Sequence, residues 1–457
     1  MSIRSVIYMS NRLKDGKISK LLFNLSLPAT IAMMVNGLYN VSDTIFIGKG
    51  VGALAIGGLA IAFPVQMLIM GFAQMVGIGG ASAISRSLGA GKKEKADEFA
   101  GNSFFSIFIL SGLFAIFGLI FTDELLIIFG ATEKLLPYAK DYITIIFYGS
   151  VFFSFAMMSN NIIRAEGNSK VAMFAMILGA GLNIILDPIF IFLLDFGIKG
   201  AALATIIAQF ISFCYVLYYM YSGKSSLKVK PHHLIPRINI TKEIFSVGFS
   251  AFARSSTSTI FAIVVNNSLR IYGGDIAITI FGIVNRVIAF LFMPIVGVVQ
   301  GMQPIAGFNY GAKEYSRVKE VIKLSIITST TIAILGWIIG ESIPHIIIRA
   351  FTDNMNIVNE GSMVFRIVIA MIPLLGIQFV GATVFQSIGK AKPALILSLL
   401  RQFIILTPLI LILPKIYNLE LFGIWLSFPI ADILASIITI SLLKREVAKI
   451  NLNVKSI

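Results

Sequence analysis

The sequence predicts an all-α polytopic membrane protein with twelve transmembrane helices in two pseudo-symmetric six-helix bundles. Composition is the first observation: 57% of the 457 residues are hydrophobic, 13% are charged and the mean hydropathy is +0.90, whereas a soluble domain has about 25% charged residues. The second is a series of apolar runs of membrane-spanning length, and the third is a pair of loop motifs that recur at a constant separation.

The apolar runs give the order of the predicted helices. They fall near residues 21–47, 54–85, 99–121, 136–163, 171–194, 200–221, 243–271, 276–308, 321–340, 361–387, 394–413 and 421–443, and a helix needs about 20 such residues to cross a bilayer. The predicted organisation is a cytoplasmic N-terminus (1–20), an N-lobe of helices 1–6 (21–221), a cytoplasmic linker (222–242), a C-lobe of helices 7–12 (243–443) and a cytoplasmic tail (444–457).

The positive charges predict the orientation. Of the 37 Lys and Arg residues, 26 lie in the N-terminus, the tail and the connectors after even-numbered helices, seven lie on the opposite side and four lie inside helices. This is the positive-inside pattern, so we expect both termini in the cytoplasm and the chain in the plasma membrane of a prokaryote. The net charge of +15 therefore reports topology, and no nucleic-acid partner is expected. Cys214 is the only cysteine, which excludes an internal disulfide.

Two loop motifs indicate an internal duplication. Gly89-Ala90 after helix 2 matches Gly311-Ala312 after helix 8, and Gly167 with Lys170 after helix 4 matches Gly389 with Lys392 after helix 10, each pair 222 residues apart. Two copies of a six-helix unit would be related by an axis along the membrane normal. Such a pair leaves a central cleft in which alternating access can occur.

Asp43 and Asp187 are acids within apolar stretches, where an unpaired acid costs about 2.5 to 3.5 kcal/mol. At about 1.5 Å per residue, Asp43, Asp187 and Thr205 lie roughly 8, 12 and 9 Å from the outer ends of helices 1, 5 and 6. Asn183 is one turn below Asp187 on the same face. These oxygens suit a hard cation such as sodium, and paired acids also favour a proton.

Each of these residues also has a purely structural interpretation. Thr205 could bond back to its own helix, Asn183 could join neighbouring helices, Asp187 could serve the bend at Pro188, and Asp43 could reach water at the helix end. Pro28 predicts a kink in helix 1, with Asn36 and Tyr39 continuing its polar face toward Asp43. Asn160, near the inner end of helix 4, either lines the cleft or caps the helix.

The second half carries cations in place of these acids. Arg254, Arg286, Arg366 and Arg401 lie within its apolar stretches, with Asp432 in helix 12. We expect Arg401 and Asp432 to pair. If Arg254 or Arg286 faced the cleft unpaired, an anionic or zwitterionic substrate would be favoured. The linker pair His232 and His233 is expected to be solvated, and no catalytic group is assembled from it, so we do not expect an enzyme.

Three segments, SLPATIAMMVNGLYNVSDTIFIG in helix 1, GIGGASAISRSLGAG at the end of helix 2 and LNIILDPIFIF in helix 5, resemble the multidrug and toxic compound extrusion (MATE) family. The resemblance spans the chain from about Leu21 to Leu443. It implies a V-shaped pair of six-helix bundles that exports amphiphilic, usually cationic compounds in exchange for sodium ions or protons. No cofactor is implied beyond that coupling ion, and a monomer embedded in membrane lipids is expected.

The resemblance also implies roles for individual residues. In the most similar branch, an N-lobe cation site is formed by residues that match Asp43, Asn183, Asp187 and Thr205, helix 1 bends at a proline that matches Pro28, and Tyr39 and Asn160 match polar cleft positions. Another branch uses acids on helices 7 and 10, which this chain lacks. The alternative is a lipid-linked precursor flippase of related architecture, in which arginines of the C-lobe cleft would bind phosphate groups.

Overall fold

The computed structural model describes residues 13–416 and 419–455, without the side chains of residues 53 and 451–455. Residues 1–12 of the predicted N-terminal segment and residues 456–457 of the predicted tail therefore lie outside the described residues. All regular secondary structure in the described part is helical. The spans up to the linker are α1 (Ile18–Gly50), α2 (Leu54–Gly89), α3 (Lys93–Ile120), α4 (Leu136–Ala165), α5 (Ser169–Leu193) and α6 (Gly197–Tyr221).

The second half repeats this order. A continuous helical segment, Ile238–Gly311, contains two spans because the backbone breaks at Gly274, where φ is 63° and ψ is −158°; α7 covers 238–273 and α8 covers 275–311. They are followed by α9 (Tyr315–Ser342), α10 (Met355–Ser387), α11 (Ala391–Lys415) and α12 (Glu420–Lys455). The predicted fold class, twelve helices in two related bundles, is confirmed.

Helix boundaries follow the predicted duplication closely. The starts of α3 and α9, the ends of α4 and α10, and both ends of α5 and α11 differ by 222 positions. Short helices after α3 and α9, Thr122–Ile128 and Pro344–Arg349, also begin 222 positions apart. The two lobes therefore share one backbone plan, including an element that hydropathy alone does not reveal.

Two helices carry irregular turns that follow from proline chemistry. In α5 the α-helix ends at Pro188 and a π-helical turn, Ile189–Leu193, continues the span. Proline has no N–H for the carbonyl four residues earlier, so the regular ladder cannot continue there. In α11 the π-turn is Leu400–Leu406, just before Pro408. The hydroxyl of Thr407 donates to the carbonyl of Gln402 at 2.7 Å, which satisfies one of the displaced acceptors.

The lobes touch along α1, α2, α7 and α8. Successive spans run antiparallel, so the connectors after even-numbered helices share one side of the bundle, which we call the even-loop face. Near this face the backbones of α2 and α7 approach closely: a Cβ added at Gly248 would lie 1.8 Å from the carbonyl oxygen of Met75, and one at Gly79 would lie 1.9 Å from that of Ile244. No larger residue fits at either glycine without moving a helix.

Candidate ion site in the N-lobe

Helix α1 turns Asp43 into the N-lobe. Asp43 is only 6% exposed, whereas Val41 and Ile45, two residues to either side, are 45% and 48% exposed. The carboxylate thus lies on the inner face of the helix. The expectation that Asp43 might reach water at the helix end is not what the structure shows.

Helix α5 supplies two further side chains from one face. Asn183 and Asp187 are four residues apart, so their side chains lie one above the other, and they are 2% and 0% exposed. Asp187 immediately precedes Pro188 and the π-turn. The carboxyl groups of Asp43 and Asp187 lie close to each other. Two neighbouring buried carboxylates repel each other unless one is protonated or a cation binds between them.

Helix α6 completes the group with Thr205, which is 8% exposed. Its hydroxyl oxygen accepts a hydrogen bond of 3.1 Å from the amide nitrogen of Asn183, and Tyr39 lies close to it. No bond from Thr205 back to its own helix is found among the described residues. The structure therefore brings together the four predicted ion-binding residues and Tyr39.

Few hydrogen-bond donors lie next to the oxygens of this group. Oδ1 of Asp43, Oδ1 of Asn183 and both carboxylate oxygens of Asp187 are buried without a hydrogen-bond partner among the described residues. A buried polar atom left unpaired costs about 1 to 3 kcal/mol, and more if it is charged. The amide nitrogen of Asn183 donates to Thr205, and its carbonyl oxygen has no partner among the described residues. Unpartnered oxygens on neighbouring side chains of this kind fit a small hard cation or protons.

Sequence reasoning missed two residues of the same group. Tyr142 on α4 is 1% exposed and lies close to Asp43 and Asp187. Its hydroxyl accepts a hydrogen bond of 3.1 Å from the side-chain amide of Gln66 on α2. A tyrosine and a glutamine inside apolar runs are a weak signal by themselves. Only the packing of α4 against α2 shows that the two side chains pair near the acids.

The remaining predicted positions lie outside this group. Helix α1 runs without interruption through Pro28, which is buried. Asn36 is exposed, and its backbone carbonyl oxygen accepts a 2.7 Å hydrogen bond from the side chain of Asn40. Asn160 is 6% exposed with an unpartnered Oδ1. It lies 18 residues along α4 from Tyr142, roughly 27 Å, so it belongs to the even-loop end of the lobe.

The C-lobe cations divide into paired and unpaired ones. The predicted pair is confirmed: Nε of Arg401 lies 2.5 Å from Oδ1 of Asp432, which is fully buried. Arg366 lies 3.5 Å from Glu341. Arg254 and Arg286 have no ion pair with any described residue.

The linker is packed against the N-lobe more closely than expected. His233 is buried, with Nε2 2.9 Å from Glu94 at the start of α3, while His232 is 3.5 Å from the same oxygen. Asn102 donates to the carbonyl oxygens of His233 at 3.0 Å and Ile235 at 3.3 Å. The expectation that both histidines are solvated is wrong for His233, because docking on α3 buries it.

Comparison with known proteins gives a consistent result. The MatE family model matches residues 28–189 and 248–412. The Multidrug export protein MepA of Staphylococcus haemolyticus (strain JCSC1435) is 28% identical over 419 residues, which cover 92% of each chain.

Solved structures agree over nearly the whole chain. The MATE multidrug transporter DinF-BH is 43% identical with a TM-score of 0.87, covering 93% of this chain and 95% of that one. An outward-facing multidrug resistance MATE family transporter of the MOP superfamily is 26% identical with a TM-score of 0.92, covering 98% and 99%.

Proposed function

The chain belongs to the MATE family, and from that premise we propose that it is a secondary active antiporter that exports amphiphilic, chiefly cationic drugs or toxic compounds in exchange for sodium ions or protons. The observation that carries the proposal is the group of unpartnered oxygens on Asp43, Asn183 and Asp187. Their burial makes an ion-free site costly. Ion entry therefore supplies free energy that a conformational change can use.

Coupling requires that the ion bind one conformation better than the other, since a ligand shifts an equilibrium only by its differential affinity. Asp43 lies on α1, whereas Asn183, Asp187 and Thr205 lie on α5 and α6. A movement of α1 relative to α5 would separate the carboxylates and dismantle the site. We therefore infer that ion binding draws α1 toward α5 and that this movement reshapes the cleft and releases the exported compound.

The distribution of interlobe contacts supports an outward-open arrangement. The lobes join through Gly248 and Gly79 near the even-loop face, and Arg86 of α2 forms a 3.0 Å ion pair with Glu243 of α7 on the same side. If the basic connectors lie in the cytoplasm, the closed end of the cleft faces the cell interior. Both termini would then be cytoplasmic and the chain a multi-pass protein of the cell membrane.

The proposal is tested by neutralising the two acids. Asp43→Asn and Asp187→Asn keep side-chain size but remove the charge that binds the ion, so each should reduce gradient-driven efflux of a rhodamine dye from proteoliposomes to background. Glu133→Gln, an exposed acid outside the site, is the matched control. Sodium and proton gradients are imposed separately to identify the coupling ion. Undiminished efflux by both variants would sink the mechanism.

A lipid-linked precursor flippase is the second candidate, favoured by the unpaired Arg254 and Arg286. A flippase would bind phosphate at these arginines and would not need a drug-coupled ion site. Ethidium counterflow in proteoliposomes distinguishes the two functions: an exporter exchanges the dye across the membrane. Absence of transport of any amphiphilic cation under either gradient would favour the flippase.

A further inference from the structure

At the even-loop face, α2 and α8 cross on the axis that relates the two lobes. Ser85 of α2 and Gly307 of α8 are counterparts, 222 positions apart. They also touch: a Cβ added at Gly307 would lie 2.2 Å from the hydroxyl oxygen of Ser85. Two counterpart residues can touch each other only where the axis passes between them, so this contact marks the axis at the closed end of the cleft.

The backbone contacts on the two sides of this axis match. A Cβ added at Gly89 would lie 1.9 Å from the carbonyl oxygen of Phe308, and one added at Gly311 would lie 2.0 Å from that of Arg86. Gly89 and Gly311 are counterparts, as are Arg86 and Phe308. Any difference between the two sides of the closed end therefore comes from side chains.

One side of the axis is ionic. Nη2 of Arg86 lies 3.0 Å from Oε1 of Glu243 on α7, and the two side chains are 21% and 36% exposed. The guanidinium group also lies over Gly389, in the connector after α10, where an added Cβ would be 2.5 Å from its central carbon. We call Arg86, Glu243 and Gly389 the ionic contact; it holds a cation of the N-lobe against two elements of the C-lobe.

The other side of the axis is apolar. The counterparts of the two charged residues are Phe308 and Leu21, which are buried in one cluster together with Leu13. Arg317 at the start of α9 donates to the backbone carbonyl oxygens of Leu13 at 3.2 Å and Gly16 at 2.6 Å. We call Phe308, Leu21 and Leu13 the apolar contact. It joins the lobes through buried hydrocarbon and neutral backbone groups.

The two contacts respond differently to water. Partly exposed charged groups exchange each other for water at a small net cost. Apolar side chains lose the benefit of burial when they are separated. Alternating access requires the closed end of the cleft to open in another state, and opening is less costly on the ionic side.

We propose that Arg86 and Glu243 form the gate of the even-loop end: their ion pair separates when this end opens, while the apolar contact stays together. This inference rests on the proposed export function and names the residues that control one of its two conformations. In the closed state the pair favours the arrangement that is open on the opposite side. Removing the charge of Glu243 shifts the equilibrium toward the state that is open at the even-loop face.

Pairs of spin labels measure the opening on each side of the axis. Lys92 and Lys392 flank the ionic contact, and their counterparts Glu314 and Lys170 flank the apolar contact; all four are exposed. Each pair is replaced by cysteine in a chain whose single cysteine, Cys214, is changed to serine. Distance distributions are recorded by pulsed electron spin resonance on the full chain in proteoliposomes, under sodium and proton gradients and with rhodamine 123.

E243Q should raise the ratio of long to short distances between labels 92 and 392 by about threefold, the effect of losing a partly exposed ion pair of typical strength. E243K should raise it further, because lysine repels Arg86. E243D keeps the charge and should stay close to wild type. The distribution between labels 170 and 314 should not change in any of these variants.

Transport gives a second measurement. A larger population of the state open at the even-loop face raises the fraction of protein that can take up dye from that side. The KM for rhodamine 123 supplied at that face in everted vesicles should therefore fall by about threefold in E243Q. A variant that merely damaged the fold would raise this KM or abolish transport.

E446Q is the matched control, because Glu446 forms a 2.5 Å ion pair with Lys390 on the same face but inside the C-lobe. It should leave both distance distributions at wild-type values. Unchanged distances in E243K, an equal effect of E446Q, or equal lengthening on both sides of the axis would overturn the gate while dye export stands. If wild type and all variants keep a single distance under every condition, alternating access fails and the proposed function fails with it.

Discussion

The two lobes place opposite chemistry on the same backbone plan. At positions 222 apart, Asp43, Asn183, Asp187 and Thr205 correspond to Val265, Ile405, Leu409 and Ser427. The first three C-lobe residues belong to or pack against one apolar cluster. Ser427 donates to the carbonyl oxygen of Gly423 in its own helix at 2.8 Å, the role that Thr205 does not adopt.

This difference shows what duplication preserves and what it leaves free. Helix boundaries, loop glycines and even the short helices after α3 and α9 coincide, because they are set by membrane thickness and turn geometry. The interior side chains are not constrained in this way. One lobe has kept buried oxygens at a cost in stability, and the other has filled the equivalent space with hydrocarbon.

The largest effect is expected when the C-lobe is given the acid of the N-lobe. Val265 is fully buried in its cluster, so Val265→Asp would place a carboxylate where no described neighbour is arranged to receive it. We expect a loss of at least about 4 kcal/mol in the free energy of unfolding, typical of an uncompensated buried charge. Thermal unfolding in detergent measures the change.

The matched control is Val265→Thr, which keeps the shape of valine and adds only a hydroxyl. It should cost much less, because a hydroxyl can bond to a carbonyl of its own helix. If Val265→Asp were as stable as Val265→Thr, the C-lobe interior would have to be as polar as that of the N-lobe.

A smaller effect is expected from the ion pair that the C-lobe does possess. Asp432→Asn leaves Arg401 without its counter-ion, but the Arg401 side chain is 28% exposed and reaches solvent. We therefore expect a loss of about 2 kcal/mol, below the range for a completely buried pair. Replacing both residues, Arg401→Met with Asp432→Leu, should recover most of that loss in thermal unfolding experiments. Failure of this recovery would show that the pair does more than neutralise a buried acid.

The sequence predicted the spans and the four oxygen-bearing residues of the proposed ion site because both depend on one-dimensional quantities. Helix length comes from hydropathy, and depth comes from counting residues along helices of known direction. Tyr142 and Gln66 could not be placed in this way, since their position depends on which faces of α4 and α2 meet. The burial of His233 was also hidden, because it results from docking of the linker on Glu94 and Asn102.

At the even-loop face the N-lobe buries another acid, Glu166. Glu166, between α4 and α5, accepts hydrogen bonds from the hydroxyls of Tyr219 at 2.7 Å and Ser225 at 2.8 Å, and from the backbone N–H and hydroxyl of Ser226, both at 2.7 Å. Burial raises the pKa of Glu166, and these donors oppose the rise only in part. Its counterpart 222 positions later is Ile388.

Because the folded protein holds the proton of Glu166 more tightly than the unfolded chain, this group stabilises the fold at low pH. That contribution is lost as pH rises from the unfolded pKa, about 4.5, toward the raised folded pKa. Glu166→Gln should therefore flatten the decline of unfolding temperature with rising pH in this window, whereas Glu133→Gln should not. Parallel curves for Glu166→Gln and wild type would mean that the surrounding hydroxyls fully compensate the burial of the carboxylate.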